Sequence, residues 1–425
     1  MRTVIKNGHL IDPKQGLSQK LDIAYEDGLI AAIGENLTGD ETIDASGLVV
    51  APGLVDIHVH FREPGQESKE DIGSGSRAAA AGGFTTVVQM ANTSPPIDDA
   101  GKVEFVLRRA RETASIRVYP TATATKGMQG VEMTEMAELK RVGAVAVTDD
   151  GKDIESSLVL RRVLEYAQMC GLLYMAHCED LVLADGGAIN EGYTSTRLGL
   201  PGIPAAAEET RIERNARLAE LAGARIHIQH VTSREGVEIC RAAKARGVQL
   251  TCESAPHYWM LTDEAIATHG PNAKMNPPLR TEEDRLAIIQ GFKDGVFDCI
   301  ATDHAPHTPT EKDAEVEDAP FGIIGIETSL PLAITGLVEP GHLSLERVID
   351  LMTWSGAKVL DLPAGYLEEG GPADIVLFDP KEKWIIDPDQ SLSKSRNTPF
   401  KGQEVTGRVK RTICAGKIVY EDPAV

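Results

Sequence analysis

The sequence predicts a (β/α)8 TIM-like barrel carrying a small β-sandwich made from both ends of the chain. Three observations predict it. Between residues 52 and 362, eight short β-branched runs alternate with longer Ala-, Leu- and Glu-rich stretches. Histidines and aspartates recur at the carboxyl ends of those runs. The flanks read differently, as short strands broken by turn signals. Alternation of strand and helix signals a parallel sheet, and eight strands is the number that closes a barrel.

In chain order the eight runs are GLVDIHVHF (53–61), FTTVVQM (84–90), SIRVYPTATA (115–124), GAVAVTDD (143–150), LLYMAHCE (172–179), ARIHIQHV (224–231), VQLTCESAPH (248–257) and VFDCIATDH (296–304). The stretches between them carry helix signals: Ser233 precedes REGVEICRAAKAR as an N-cap, and Gly247 ends it as a C′ glycine. The flanking strands are KNGHLID, EDGLIAAIG and DASGLVV at one end, PADIVLFD and VKRTICAGKIVY at the other. Neither flank is long enough to fold robustly alone, and a barrel's termini lie close together. The expected division is 1–51 and 365–425 as the two parts of a β-sandwich, with 52–364 as the catalytic barrel.

A chain of 425 residues, 42% hydrophobic and 25% charged, can bury a full core. Its net charge of −21 argues against nucleic acid as a partner, because such affinity rests on Lys and Arg neutralising phosphates. An anionic substrate would need a locally placed cation to overcome that field. The six cysteines, at 170, 178, 240, 252, 299 and 414, form no CxxC pair and are expected to be reduced core thiols. The start, MRTVIKNGHLIDP, has no apolar signal-like core, and no 18-residue apolar run occurs. A soluble, cytoplasmic protein that avoids membranes is the expectation.

In Asp56-Ile57-His58-Val59-His60 the two histidines are two residues apart on a strand, so both imidazoles project to one face and can reach one metal ion. Three more histidines lie at or just past a strand's end: His177, His230, and His304 beside Asp303. Asp149 and Asp150 end the fourth run, and alternation says only that one of them points inward. These positions gather at the rim where barrel enzymes keep their chemistry. Imidazole and carboxylate without thiolate suit zinc or a similar divalent metal in an open, catalytic site. His227, on the opposite parity from His230, is expected to be packed or helix-facing, and Cys178 to point into the core. The acidic run 311–318 follows the last barrel strand, where it would serve as a solvated loop or as a mobile lid spanning 308–320.

HVHFREPG, MANTSPP, NPPLR, ATDHAPH and FGIIGIET, in that order, resemble the dihydroorotase family of the amidohydrolase superfamily in its bacterial type I form. The likeness runs from KNGHLIDP to CAGKIVYED, essentially the whole chain. It implies that His58, His60, Asp150 and Asp303 surround one zinc ion, and that Asp150, His177 and His230 hold a second, with Asp150 bridging. Many superfamily relatives bridge with a carboxylated lysine; an aspartate here leaves one or two zinc ions per chain as the expectation. The resemblance also assigns Arg62, Asn92 and His307 to the substrate carboxylate, with His60 beside them, and Asn276 and the backbone at Phe321-Gly322 to the pyrimidine ring edge. Arg62 is then the local cation that an acidic protein needs.

The implied reaction is the reversible cyclisation of N-carbamoyl-L-aspartate to L-dihydroorotate in de novo pyrimidine biosynthesis. Zinc would lower the pKa of water towards about 7 and polarise the amide carbonyl. Asp303 would carry the proton between water and the ring nitrogen. Two other readings stand beside this one: a hydantoinase- or allantoinase-type cyclic amidohydrolase, and a catalytically silent scaffold for aspartate transcarbamoylase. A homo-oligomer is expected, and aspartate transcarbamoylase is the candidate protein partner.

Overall fold

The computed structural model describes residues 1–423 and is an α/β fold in which all eight runs form strands: Leu54–Val59, Phe84–Gln89, Arg117–Pro120, Ala146–Val147, Leu173–Ala176, Ile226–Ile228, Leu250–Ser254 and Cys299–Ile300. The first three pair in parallel as one sheet and the last five as another. Parallel bridges join Ala122 to Val147 and Val59 to His304, between the two sheets. Asp56 on the first strand adds a buried side-chain tie to the eighth, accepting from Thr302 Oγ1 at 2.5 Å and from Thr302 N at 3.3 Å.

Amphipathic helices fill the intervals. Arg234–Ala245 is one, and its ends are where the sequence puts them. Ser233 accepts from Gly236 N at 3.0 Å, and Gly247 follows with φ +85°. Its inward residues Val237, Cys240 and Ala243 join a continuous core with Ile226, Ile228, Leu250 and Cys252. Removing such side chains from water at roughly 25 cal/mol per Å² is what holds helix to sheet. Cys178 lies in this same core, with Asn215 Nδ2 at 3.3 Å from its sulfur. All six cysteines are free thiols.

The flanks interleave. Val49–Pro52 pairs in parallel with His9–Asp12 and antiparallel with Ile375–Ile385, so both ends of the chain share one six-stranded sheet. A four-stranded sheet, ordered Leu29–Gly34, Asp22–Glu26, Thr3–Lys6 and Glu41–Asp44, lies beside it. Ile5, Ile23, Leu10, Val50, Ile375 and Leu377 from the two sheets make one apolar cluster. Among the described residues, no helix is long and apolar enough to cross a membrane.

The eight observed strands are shorter at their carboxyl ends than the sequence runs. His177, His230 and Asp303 all lie past the last ladder residue. His230 and Asp303 there adopt left-handed backbone, with φ +33° and +46°. Non-glycine residues held this way concentrate at functional sites.

Candidate metal centre and active site

His58, on the first strand, and His60, one residue past its end, turn Nε2 towards the same two carboxylates as their spacing requires. His58 Nε2 is 3.6 Å from Asp150 Oδ1 and 3.5 Å from Asp303 Oδ1; His60 Nε2 is 3.5 Å from Asp150 Oδ2 and 3.0 Å from Asp303 Oδ1. A second group shares Asp150: its Oδ1 is 3.9 Å from His177 Nδ1 and 4.0 Å from His230 Nε2, and those two nitrogens are 2.9 Å apart. All six side chains are buried. Metal–ligand bonds of about 2.0–2.2 Å at tetrahedral angles set donor atoms about 3.3–3.6 Å apart. Most separations in the first group match that spacing, with His60–Asp303 shorter; in the second, Asp150 stands a few tenths of an ångström farther off while the two imidazole nitrogens are closer.

The far side of three of the four rings is held too, which fixes which of their nitrogens faces inward. His58 Nδ1–H donates to Glu253 Oε1 at 2.6 Å, His60 Nδ1–H to Asn92 Oδ1 at 2.9 Å, and His177 Nε2–H to Glu179 Oε2 at 3.1 Å. A metal-ligating histidine normally donates its other N–H in this way. Electrostatics agree. Burial opposes a proton on His58, yet Asp303, Glu253 and Asp150 raise its pKa well above the ordinary value. The centre therefore demands positive charge, which a divalent cation meets. Burial and the neighbouring His177 push His230 down to about 3, leaving a neutral ring with a free lone pair. Burial would raise the Asp303 carboxyl, but His58, His60 and His230 hold it below its usual range.

Of the two aspartates ending the fourth run, Asp150 is the inward one. Asp149 caps a neighbouring loop, accepting from the backbone N–H of Ala124 and Thr125 at 2.8 and 3.0 Å. His304 turns away from the cluster: its Nδ1 accepts from Gly325 N at 3.2 Å, and its Nε2 faces Glu70 at 3.6 Å. His227 is packed, with Nε2 at 3.1 Å from Glu253 Oε2, so one carboxylate spans His227 and His58. Glu253 is held down at about 2, because those two rings outweigh its burial.

Beside this cluster, Arg62 is buried with φ +60°. Its Nε donates to Pro306 O at 3.2 Å and its Nη2 to His307 Nε2 at 3.3 Å. Burial lowers its pKa to about 10, so it stays charged at neutral pH. Lys69 Nζ reaches His307 Nδ1 at 3.3 Å and Glu311 Oε1 at 2.8 Å. Burial, with Arg62, Lys69 and Lys312 nearby, drives His307 down to about 2, so its ring is neutral. Lys312 itself is buried on Pro271 O and Pro320 O at 2.8 and 2.7 Å; burial and the adjacent Lys274 and Arg62 bring its pKa down to about 7. These contacts tie down the 308–320 segment, which forms a short helix at Pro309–Lys312.

The remaining expected site residues are also nearby. Asn92 bridges two ligand candidates, since its Nδ2 donates to Asp150 Oδ2 at 3.0 Å while Oδ1 takes the His60 proton. Asn276 Nδ2 donates to Glu179 Oε2 at 2.9 Å, and its Oδ1 is buried without a hydrogen-bond partner. The Phe321 ring lies beneath Lys274 Nζ at 4.4 Å. Gly322 N–H donates to Lys274 O at 2.9 Å and its carbonyl accepts from Asn397 at 3.0 Å, so both its peptide groups are engaged within the protein.

Sequence reasoning passed over Glu253, Glu179, Lys69 and Asn397. Two of these had a signal. Glu179 follows His177 at the same spacing that links His58 to His60, and Glu253 sits on the seventh strand among candidate rim positions. Lys69 and Asn397 lie in loops, where no periodicity marks them.

A family model described as dihydro-orotase-like matches residues 47–236. A dihydroorotase from Geobacter metallireducens is 48% identical over 424 residues, covering 99% of this chain and 100% of its own. One from Pelobacter propionicus is 49% identical with the same coverage, and one from Acetivibrio thermocellus is 46% identical over 99% of both chains. Among solved structures, an L-hydantoinase (dihydropyrimidinase) from Arthrobacter aurescens superposes with a TM-score of 0.89 at 28% identity, covering 99% of this chain and 96% of its own. A D-hydantoinase (dihydropyrimidinase) from Thermus sp. gives 0.83 at 26%, with 99% and 95% covered. Near-half identity over the full length of its relatives means that this chain belongs to the dihydroorotase family.

Proposed function

We propose that the protein is a zinc-dependent dihydroorotase, interconverting N-carbamoyl-L-aspartate and L-dihydroorotate in de novo pyrimidine synthesis. One observation carries the reading. Immediately beside a cluster with metal-ligand spacing lies a buried guanidinium, Arg62, that has no carboxylate in hydrogen-bond or salt-bridge reach among the described residues. A buried charge held only by neutral acceptors and with no carboxylate in contact is costly, and a bound carboxylate would complete it. Both proposed substrates are carboxylate anions.

His58, His60, Asp150 and Asp303 would hold one zinc ion, and Asp150, His177 and His230 a second, giving one or two per chain. Bound there, zinc supplies Lewis-acid polarisation of the amide carbonyl and acidification of water. Arg62, with Asn92 and His307, fixes the substrate carboxylate, and His60 lies between that clamp and the reacting amide. Asn276, through its unpaired Oδ1, takes the ring edge together with the Phe321-Gly322 backbone, where the Gly322 carbonyl keeps a second lone pair beside its bond from Asn397. Asp303 accepts the proton of the attacking water and delivers it to the departing ring nitrogen; in ring closure the same carboxylate runs the reverse transfer. Its buried position, 3.0 Å from His60, keeps that proton out of bulk water.

The architecture belongs to the same proposal. The eight parallel strands form a closed barrel over 52–364, a reading supported by the Ala122–Val147 and Val59–His304 bridges. Residues 1–51 and 365–425 form the β-sandwich, supported by the core their two sheets share. A homo-oligomer, and an association with aspartate transcarbamoylase, complete the reading.

The test is turnover of L-dihydroorotate, hydantoin and allantoin by purified protein, with zinc per chain measured on the same sample. Turnover of dihydroorotate alone, with one or two zinc ions, is expected. Turnover of hydantoin instead would overturn the substrate assignment. Silence on all three with zinc bound, unrelieved by added aspartate transcarbamoylase, would leave the scaffold reading.

A further inference from the structure

The strands Ile375–Ile385 and Glu404–Cys414 pair antiparallel, yet residues 386–403 separate them, where a hairpin needs only two to five. A connection of that length within a packed domain calls for a function. Its middle crosses from the flanking sheet to the rim of the active site and fastens there to three separate loops.

The first fastening is to the loop that carries Arg62 and Lys69. Ser395 Oγ donates to Lys69 O at 2.8 Å, Lys394 Nζ donates to Glu67 O at 2.8 Å, and Ser393 Oγ donates to the buried Glu70. The other two run through Asn397, which is buried. Its Oδ1 accepts from His307 N at 3.1 Å; its Nδ2 donates to Ala305 O and to Gly322 O, both at 3.0 Å; and its own carbonyl accepts from Ile324 N at 2.9 Å. One planar amide thus joins the loop bearing His307 to the loop bearing Gly322. The two loops are packed so closely that a Cβ on Gly322, at φ +148°, would fall 2.6 Å from Ala305 O. An Asp at 397 would turn a carboxylate oxygen towards two carbonyls, and a longer Gln would not fit the same three partners.

We propose that Asn397 is a positioning residue for the substrate carboxylate. From the flanking sheet it fixes His307 against Arg62, and with Ser395 it sets the spacing of the two sides of the carboxylate site. The inference rests on the dihydroorotase reading above. Asn397 touches none of the proposed metal ligands, so its loss acts on substrate binding rather than on the chemical step. An interaction equal in ground and transition states appears in KM and not in kcat.

The experiment is steady-state kinetics with L-dihydroorotate on wild type, Asn397→Ala and Ser395→Ala, with metal content measured on each sample. Ser395→Ala removes a single hydroxyl and reads the same claim if Asn397→Ala does not fold. KM is expected to rise at least tenfold in Asn397→Ala and about threefold in Ser395→Ala, with kcat within threefold of wild type and metal content unchanged. An unchanged KM in soluble Ser395→Ala, or a fall in kcat with loss of metal in Asn397→Ala, overturns the proposal while an active wild type leaves the dihydroorotase reading intact. A wild type inactive on dihydroorotate overturns both.

Discussion

Replacing Arg62 with Met should make the free protein no less stable while removing most of its ability to bind substrate. The guanidinium is buried, and its pKa falls from 12.5 to about 10. At about 1.4 kcal/mol per unit, that fall corresponds to roughly 3 kcal/mol of folding free energy lost at neutral pH to keep that charge inside, because burial outweighs the attraction of Asp303, Asp150 and Glu311. The sign follows from protons: between about 10 and 12.5 the unfolded chain holds one more than the folded, so below that window the folded state carries the full penalty. Its two hydrogen bonds, to Pro306 O and His307, return about 1 kcal/mol each. The substitution should therefore leave the free protein unchanged or about 1 kcal/mol more stable. A substrate carboxylate, by contrast, loses its charged partner, which costs about 2–5 kcal/mol, or roughly 30-fold to several thousand-fold in kcat/KM. The assay pairs thermal melts with and without dihydroorotate and steady-state kinetics. A drop of several degrees in the melting temperature of the free variant would refute the reasoning, as would a kcat/KM within threefold of wild type.

Asp303→Asn should lower kcat by several orders of magnitude while dihydroorotate still binds, measured by kinetics and calorimetry on the metal-loaded protein; near-normal turnover would remove Asp303 from the proton path. Glu253→Gln, which replaces the acceptor of the His58 Nδ1 proton, should weaken zinc binding about 10- to 100-fold in a competition titration. Lys312 has a folded pKa of about 7 against 10.5 unfolded, so the unfolded chain binds more protons between those values and stability rises with pH across that window. Urea midpoints from pH 6 to 9 should show that rise in wild type and a flatter profile in Lys312→Met. Raising ionic strength from about 0.05 to 0.5 M should leave KM for dihydroorotate unchanged or lower, because salt screens the repulsion of the −21 chain more than it screens buried Arg62; a KM rising tenfold would mean that exposed cations do the attracting.

The eight strands were legible because each is a β-branched run bounded by turn residues, and that signal is local. Their carboxyl ends were not: the last residues of each run leave the ladder to present His177, His230 and Asp303, and the left-handed backbone at two of these has no mark in the pattern. His58 and His60 could be paired from alternation alone, whereas choosing Asp150 over Asp149 needed the family likeness. The structure gives the physical reason for that choice, since Asp149 is committed to the backbone N–H groups of Ala124 and Thr125. Asn397 lay beyond reach for another reason. It acts from the far end of the chain, some ninety residues after His307, and only the folded flank brings the two together.

The metal cluster and the carboxylate site carry different information about specificity. Imidazoles and aspartates at ligand spacing would suit many hydrolytic barrels, and solved hydantoinases share this shape at 26–28% identity. What the cluster does not explain is why an acidic chain gathers Arg62, Lys69 and Lys312 around a neutral His307 on one side of it, with Lys274 next to Lys312. Burial brings Arg62 down to about 10, and burial with Lys274 and Arg62 nearby brings Lys312 down to about 7. Glu311 pairs directly with Lys69 and acts on Arg62 and Lys312 only at longer range. Such crowding is unfavourable in the free protein and becomes favourable when an anion enters. Selection for an uncharged ring would relieve it, and selection for a carboxylate-bearing one would keep it. On the dihydroorotase reading proposed above, the residues that discriminate a carboxylate-bearing substrate from a bare cyclic amide would be those of the cation cluster and the strap that spaces it, while the metal ligands would set only that an amide is hydrolysed or closed.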